Sequence, residues 1–213
     1  MKLNHKNLWL FDLDGTLIDS QKGIAFSTNE TLKKFGKSEL TDLELMQLFG
    51  TPIKQVLSSQ ISLAQLEEAF DFYRNHLLDF AIEQMFLFEG VIETLEELKY
   101  QEKTLKIITN KHTKLAIQTL EHFGVSDYFI EILGSDLAKP KPSPDLIEIA
   151  LKGFNQLESV MVGDQIEDIQ AGIAAGVNTI LIRDKTYVSD GIKADPDYNL
   201  RDMKSLLDLV RAS

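Results

Sequence analysis

Apolar and polar positions follow two different rhythms along this chain. Leu8 to Phe11 is a short, unbroken apolar run that ends in acid, which predicts a buried strand. From Ser20 to about Gln84 no segment has strand character. Ser20 is placed to cap a helix carrying Ile24, Leu32 and Phe35 that ends near Gly36. Thr41 with Glu44 makes a capping-box pattern, and Ser62 with Gln65 makes another ahead of a long helix bearing Leu66, Phe70, Tyr73, Leu77 and Phe80. The block predicts a helical subdomain.

After it, strand and helix signals alternate. Val91 to Leu98 is amphipathic, Leu105 to Ile108 predicts a strand, Leu115 to Phe123 a helix ended by Gly124, and Ile130 to Leu133 a strand. Leu146 to Leu151 then reads as helix, Val160 to Val162 as strand, Ile169 to Ala175 as a helix ended by Gly176, Thr179 to Ile182 as strand, and Met203 to Val210 as a closing helix. Such alternation implies an α/β fold with a mostly parallel sheet between helices. In open sheets of this kind ligands sit outside the carboxyl ends of the strands, so chemistry is expected just after each apolar run.

Those positions converge on one chemistry. Asp12 and Asp14 follow the first strand, Thr109 and Asn110 the second, and Gly163 and Asp164 the one near residue 160. In FDLDGTLIDS the chain must leave the strand at Asp-Gly, and Asp14 projects on the same side as Asp12 if Asp12 is still extended. Two neighbouring carboxylates raise each other's proton affinity and stay ionised together only beside a cation. Oxygen ligands favour a hard cation, Mg²⁺ first among them. Asp164 and Asp168 add a second acidic pair at the start of a helix. Alone, Asp168 reads as a first-turn acid facing the helix dipole; with Asp12 and Asp14 it reads as part of a metal site. Thr109, a neighbouring N–H and a lysine can hold phosphoryl oxygens. Lys141 is the candidate because Pro140, Pro142 and Pro144 stiffen its surroundings, with Lys139 its rival on spacing.

Charge and composition narrow the partners. The 213 residues carry 33 Asp+Glu against 22 Lys+Arg, a net charge of −11, which argues against nucleic acid and against an anionic membrane surface. There is no cysteine, so disulfides and thiolate chemistry are excluded. The apolar stretch near the N-terminus is too short for a signal peptide, and no run approaches the ~20 apolar residues of a membrane helix, so a cytoplasmic protein is expected.

Taken in order, Asp12 and Asp14 in FDLDGTL, Thr109 in IITN, Lys141 in KPSPD, and Asp164 with Asp168 in VGDQIED resemble the four motifs of the haloacid dehalogenase (HAD) superfamily, in its phosphatase branch with a helical cap. The resemblance spans the chain. DGTLIDSQKGIAFSTNETLKKFG and Gly50-Thr51-Pro52 are similar to phosphoglycolate-phosphatase-like members, whereas Phe88-Glu89-Gly90 departs from the usual Pro before Gly at the cap hinge. It implies a Rossmann-like, three-layer core at 1–17 and 85–213 and an all-helical cap at 18–84. It also selects Lys141 over Lys139.

The resemblance implies that Asp12 is the nucleophile that forms an aspartyl-phosphate and that Asp14 is the general acid and base. Thr109, the Asn110 N–H and Lys141 would bind the transferring group. Mg²⁺ would be held by Asp12, the Asp14 main-chain carbonyl and Asp164, with Asp168 orienting from behind. An acidic Asp14 speaks for phosphate rather than halide chemistry, with a small phosphorylated metabolite as substrate. Inorganic pyrophosphatase and nucleotidase are the alternatives within the superfamily. A phospho-Asp receiver switch is the alternative outside enzymes, disfavoured by the chain length and the helical insertion. Gly50, Thr51 and Arg74 are candidates for facing the leaving group, Lys111 and His112 for edging the site, and monomer and homodimer stay open.

Overall fold

All four residues of β1 (Leu8–Phe11) are buried because the sheet has a helical layer on each side. The computed structural model describes residues 3–182 and 194–212. Numbered along the chain, β1 is followed by β2 (Ile18–Asp19), α1 (Gln21–Lys34), α2 (Asp42–Leu48), α3 (Ile53–Ser58), α4 (Leu66–His76) and β3 (Phe86–Leu87). Next come α5 (Val91–Tyr100), β4 (Thr104–Ile108), α6 (Thr113–His122), β5 (Glu131–Leu133), α7 (Asp145–Ala150) and β6 (Ser159–Gly163). The order closes with α8 (Ile166–Ala174), β7 (Asn178–Ile182), β8 (Tyr198–Leu200) and α9 (Met203–Arg211).

Six strands form one parallel sheet in the order β5-β4-β1-β6-β7-β8. Alternation along each strand sends its side chains into two cores. Trp9, Phe11, Leu105, Ile107, Val160 and Val162 pack with Leu95 and Leu98 of α5, Leu115 and Leu120 of α6, and Leu206 and Val210 of α9. On the opposite face, Leu8, Leu10, Ile108 and Met161 meet Leu146, Ile147 and Ala150 of α7 and Ala171 of α8. The expected three-layer α/β architecture is therefore observed, with β1 central and its carboxyl end between those of β4 and β6.

The helical block leaves and rejoins this core through a two-stranded antiparallel ribbon, with Ile18 opposite Leu87 and Asp19 opposite Phe86. Within the block α1, α3 and α4 bury Leu32, Leu57, Phe70 and Tyr73, whereas α2 has no buried residue and exposes Leu43 and Met46. The Thr41–Glu44 capping box forms as expected. Two other capping expectations are corrected. Ser20 stands at the N-cap with φ −110° and ψ 0°, so its hydroxyl is not aimed at the first-turn N–H groups and makes no cap bond. The Ser62 hydroxyl donates to the Gln65 side chain at 2.9 Å instead of capping, and α4 starts only after a 3₁₀ turn. No helix among the described residues is long and apolar enough to cross a membrane.

Candidate active site

The carboxyl ends of β1, β4 and β6 bring the predicted residues together. Asp12 stays in the ladder, its N–H donating to the Val162 carbonyl at 2.9 Å, and the chain turns immediately afterwards. Two glycines let the second acidic pair close on the first. Gly15 has φ +92°, and a Cβ there would lie 2.4 Å from an Asp164 carboxylate oxygen. A Cβ on Gly163 would lie 2.2 Å from Asp168 Oδ2. The Thr16 hydroxyl donates to Asp164 Oδ1 at 3.1 Å.

Carboxylate oxygens of Asp12, Asp164 and Asp168 lie within 4.8 Å of one another. Burial pushes Asp12 up to about 7; Lys141 pulls it back, while Asp168 and Asp14 add to the rise. Burial, then Asp168 and Asp12, raise Asp164 well above the usual carboxylate range. Three carboxylates at this spacing, Asp12 and Asp168 buried and Asp164 partly so, with the pKa values of Asp12 and Asp164 raised, form a hard donor set deficient in positive charge, and a divalent cation fits it.

Lys141 is buried, with its ammonium 2.5 Å from Asp12 Oδ1, 2.6 Å from Asp168 Oδ1 and 2.8 Å from the Ile108 carbonyl. Burial alone would lower its pKa, but Asp12 and Asp168 outweigh that and raise it. Lys139 is exposed. Both oxygens of Asp168 have protein donors, since Oδ2 accepts the Gln165 N–H at 2.9 Å, so this residue holds Lys141 and the start of α8 together.

The Asp14 carboxylate stands outside the three-aspartate cluster. It receives the Lys111 ammonium at 2.6 and 2.8 Å and lines a cleft between the helical block and the sheet, to which Asp12 and Lys141 also contribute. Lys111 thus lines the cleft, whereas His112 N-caps α6, packs against the Phe70 ring at 5.2 Å and is not part of the lining. Gly50 and Thr51 line the cleft; Arg74 instead pairs with Asp71 on its own helix at 3.3 Å.

Thr109 is buried and its hydroxyl accepts the Lys111 N–H at 3.1 Å. The side chain of Asn110 does what its sequence position did not reveal. Its amide donates to the Gly50 carbonyl at 2.8 Å and the Lys141 carbonyl at 3.1 Å, while its oxygen accepts the Lys141 N–H at 2.8 Å. Helical block, β4 loop and lysine loop meet at this one side chain. Tyr73 is a cleft residue with no sequence signal beyond its place on an apolar helix face; burial, then the charge of Asp14, push its hydroxyl up.

The profile described as haloacid dehalogenase-like hydrolase matches residues 9–182. The chain belongs to this family. It is 34% identical over 211 residues to the pyrophosphatase PpaX of Halalkalibacterium halodurans, covering 96% of each chain. It is also 34% identical over 175 residues to the phosphoglycolate phosphatase of Aquifex aeolicus, covering 81% of this chain and 82% of that one. A solved haloacid dehalogenase-like hydrolase of Streptococcus pneumoniae superposes with a TM-score of 0.81 at 26% identity over 96% of this chain and 98% of its own. The expected superfamily, fold and enzyme class therefore stand, a HAD hydrolase of the phosphoglycolate-phosphatase-like kind.

Proposed function

We propose that this protein hydrolyses a small phosphate monoester, in the manner of a phosphoglycolate phosphatase, with Mg²⁺ and an aspartyl-phosphate on Asp12. One observation carries the reading. Both acids of the first loop line the cleft, but Asp12 lies in the carboxylate cluster with Asp164 and Asp168, while Asp14 stands outside it and pairs with Lys111. A nucleophile buried among phosphate-binding groups and a separate acid on the leaving-group side are what two-step phosphoryl transfer requires.

In the first step a carboxylate oxygen of Asp12 attacks phosphorus in line, and the ester oxygen leaves with the bonding pair and takes a proton from Asp14. In the second, Asp14 takes a proton from water, the water oxygen attacks phosphorus, and Asp12 is released with inorganic phosphate. The Thr109 hydroxyl, the Asn110 N–H and Lys141 neutralise the transferring oxygens. Asp12, the Asp14 main-chain carbonyl and Asp164 would hold the Mg²⁺, which when bound supplies the positive charge that lets an anionic carboxylate approach an anionic phosphate. We assign residues 1–17 and 85–213 to the catalytic core and 18–84 to a cap that excludes water. The setting is cytoplasmic and the partner a small phosphorylated metabolite, since a net charge of −11 disfavours polyanions.

A second reading, hydrolysis of inorganic pyrophosphate by the same steps, is favoured by the 34% identity to PpaX over 96% of the chain. Phosphate release from phosphoglycolate and pyrophosphate, with Mg²⁺ and with excess EDTA, tests both. Turnover that EDTA abolishes supports the proposal, and release unaffected by EDTA refutes the metal-assisted step.

A further inference from the structure

The cap side of the cleft is mostly apolar, with Thr28, Thr51 and Tyr73 as its polar side chains. Ile24, Leu45, Leu48, Ile53 and Val56 face it, and among the described residues no cap lysine, arginine or histidine lines it. Lys141 and Lys111 are the cations of the lining among those residues. Lys141 lies between Asp12 and Asp168 at 2.5 and 2.6 Å, on the side of the transferring phosphoryl group. Lys111 touches a single acid, Asp14, and its side chain is 4% exposed.

Its backbone is fixed on both sides. Its N–H donates to the Thr109 hydroxyl at 3.1 Å and its carbonyl accepts the Ser135 N–H at 3.1 Å. A side chain on Gly134 would collide with that carbonyl at 2.5 Å, so the loop is packed tightly against β5. Lys111 is therefore a preorganised ammonium on the leaving-group side of the cleft, and it needs no rearrangement to meet an anion there.

We propose that Lys111 determines substrate specificity by binding an anionic group on the leaving group, one or two atoms beyond the scissile ester oxygen. This rests on the phosphatase reading, in which Asp14 serves that oxygen. A group within hydrogen-bond reach of Asp14 lies on the order of 5 to 6 Å from the Lys111 ammonium. A carboxylate or phosphate attached next to the ester spans that gap, and the lysine then shares its charge between Asp14 and the substrate. The leaving groups selected are short and carry one anion, the chemistry common to a 2-phospho-acid and to pyrophosphate. Among the described residues the cap wall brings no cation to a second anion, and esters of neutral alcohols leave Lys111 without a new partner.

The test compares phosphoglycolate with 2-hydroxyethyl phosphate, which replaces the carboxylate by a neutral alcohol of similar length, in wild type, K111M and K111R. Wild type is expected to favour phosphoglycolate in kcat/KM by roughly 100-fold, the value of a buried charge-assisted contact. K111M brings the ratio close to one, chiefly through KM for phosphoglycolate, and K111R retains much of the preference. Equal losses on both substrates in K111M, or a wild type without preference, overturn the assignment and leave the phosphatase reading intact. If K111M does not fold by circular dichroism, K111Q carries the same comparison. A wild type that hydrolyses neither ester in Mg²⁺ overturns the phosphatase reading and this assignment with it.

Discussion

The Lys141 ammonium lies 2.5 Å from Asp12 Oδ1 although 129 residues separate them in sequence, and the same nitrogen reaches Asp168 Oδ1 at 2.6 Å. One buried cation thus fixes the acid after β1 to the acid at the start of α8. Removing it leaves buried carboxylates facing each other without compensation.

Lys141→Met is expected to lower stability by about 3 to 5 kcal/mol in metal-free buffer, the usual cost of stripping one partner from a buried ion pair. Urea unfolding in EDTA measures it. A loss under about 1 kcal/mol would mean that the pair contributes little beyond geometry.

Asp14→Asn separates chemistry by leaving group. An alkyl phosphate needs a proton on its departing oxygen, so its turnover falls by about 10²- to 10⁴-fold. The nitrophenolate of p-nitrophenyl phosphate departs without one, and its first step is much less affected. Equal losses in burst-phase kinetics on both esters would contradict Asp14 as the acid.

Asp202 caps α9, accepting the Ser205 N–H at 2.8 Å and hydroxyl at 2.7 Å, and these bonds hold its pKa below the ordinary 3.8. A depressed carboxylate stabilises the fold above its unfolded pKa, and the contribution is lost as pH falls through the folded one. Asp202→Ala should therefore cost about 1 kcal/mol at pH 7 and less near pH 3. Urea midpoints of both proteins at the two pH values decide; a pH-independent gap would contradict an ionised cap.

How far the sequence foretold this molecule depends on how local each determinant is. β1, β4, β6 and β7 were legible because buried parallel strands are continuous apolar runs bounded by acid, glycine or turn residues. β2 and β3 were not, since two residues carry no period and the ribbon exists only because Ile18 meets Leu87 across the inserted block. β8 is a short, partly exposed edge strand with little apolar signal. Asp12, Asp14, Lys141, Asp164 and Asp168 stood out by motif, and the structure draws them to one sheet edge. That Asp14 turns to Lys111, and that the Asn110 side chain binds Gly50 and Lys141, depends on contacts between distant segments. The sequence marked Lys111 as an edge candidate and Asn110 for its N–H, but the partners of both side chains exist only once the fold closes around them.

Asp12 as the nucleophile is put to the test by Asp12→Asn. Phosphate release from phosphoglycolate and from p-nitrophenyl phosphate in Mg²⁺ would be compared with wild type, alongside circular dichroism. Near-isosteric replacement preserves the fold, so a native spectrum with turnover of both esters reduced by at least about 10⁴-fold is predicted, as expected when a covalent nucleophile is removed. A natively folded Asp12→Asn protein that turns over either ester at close to the wild-type rate would contradict it.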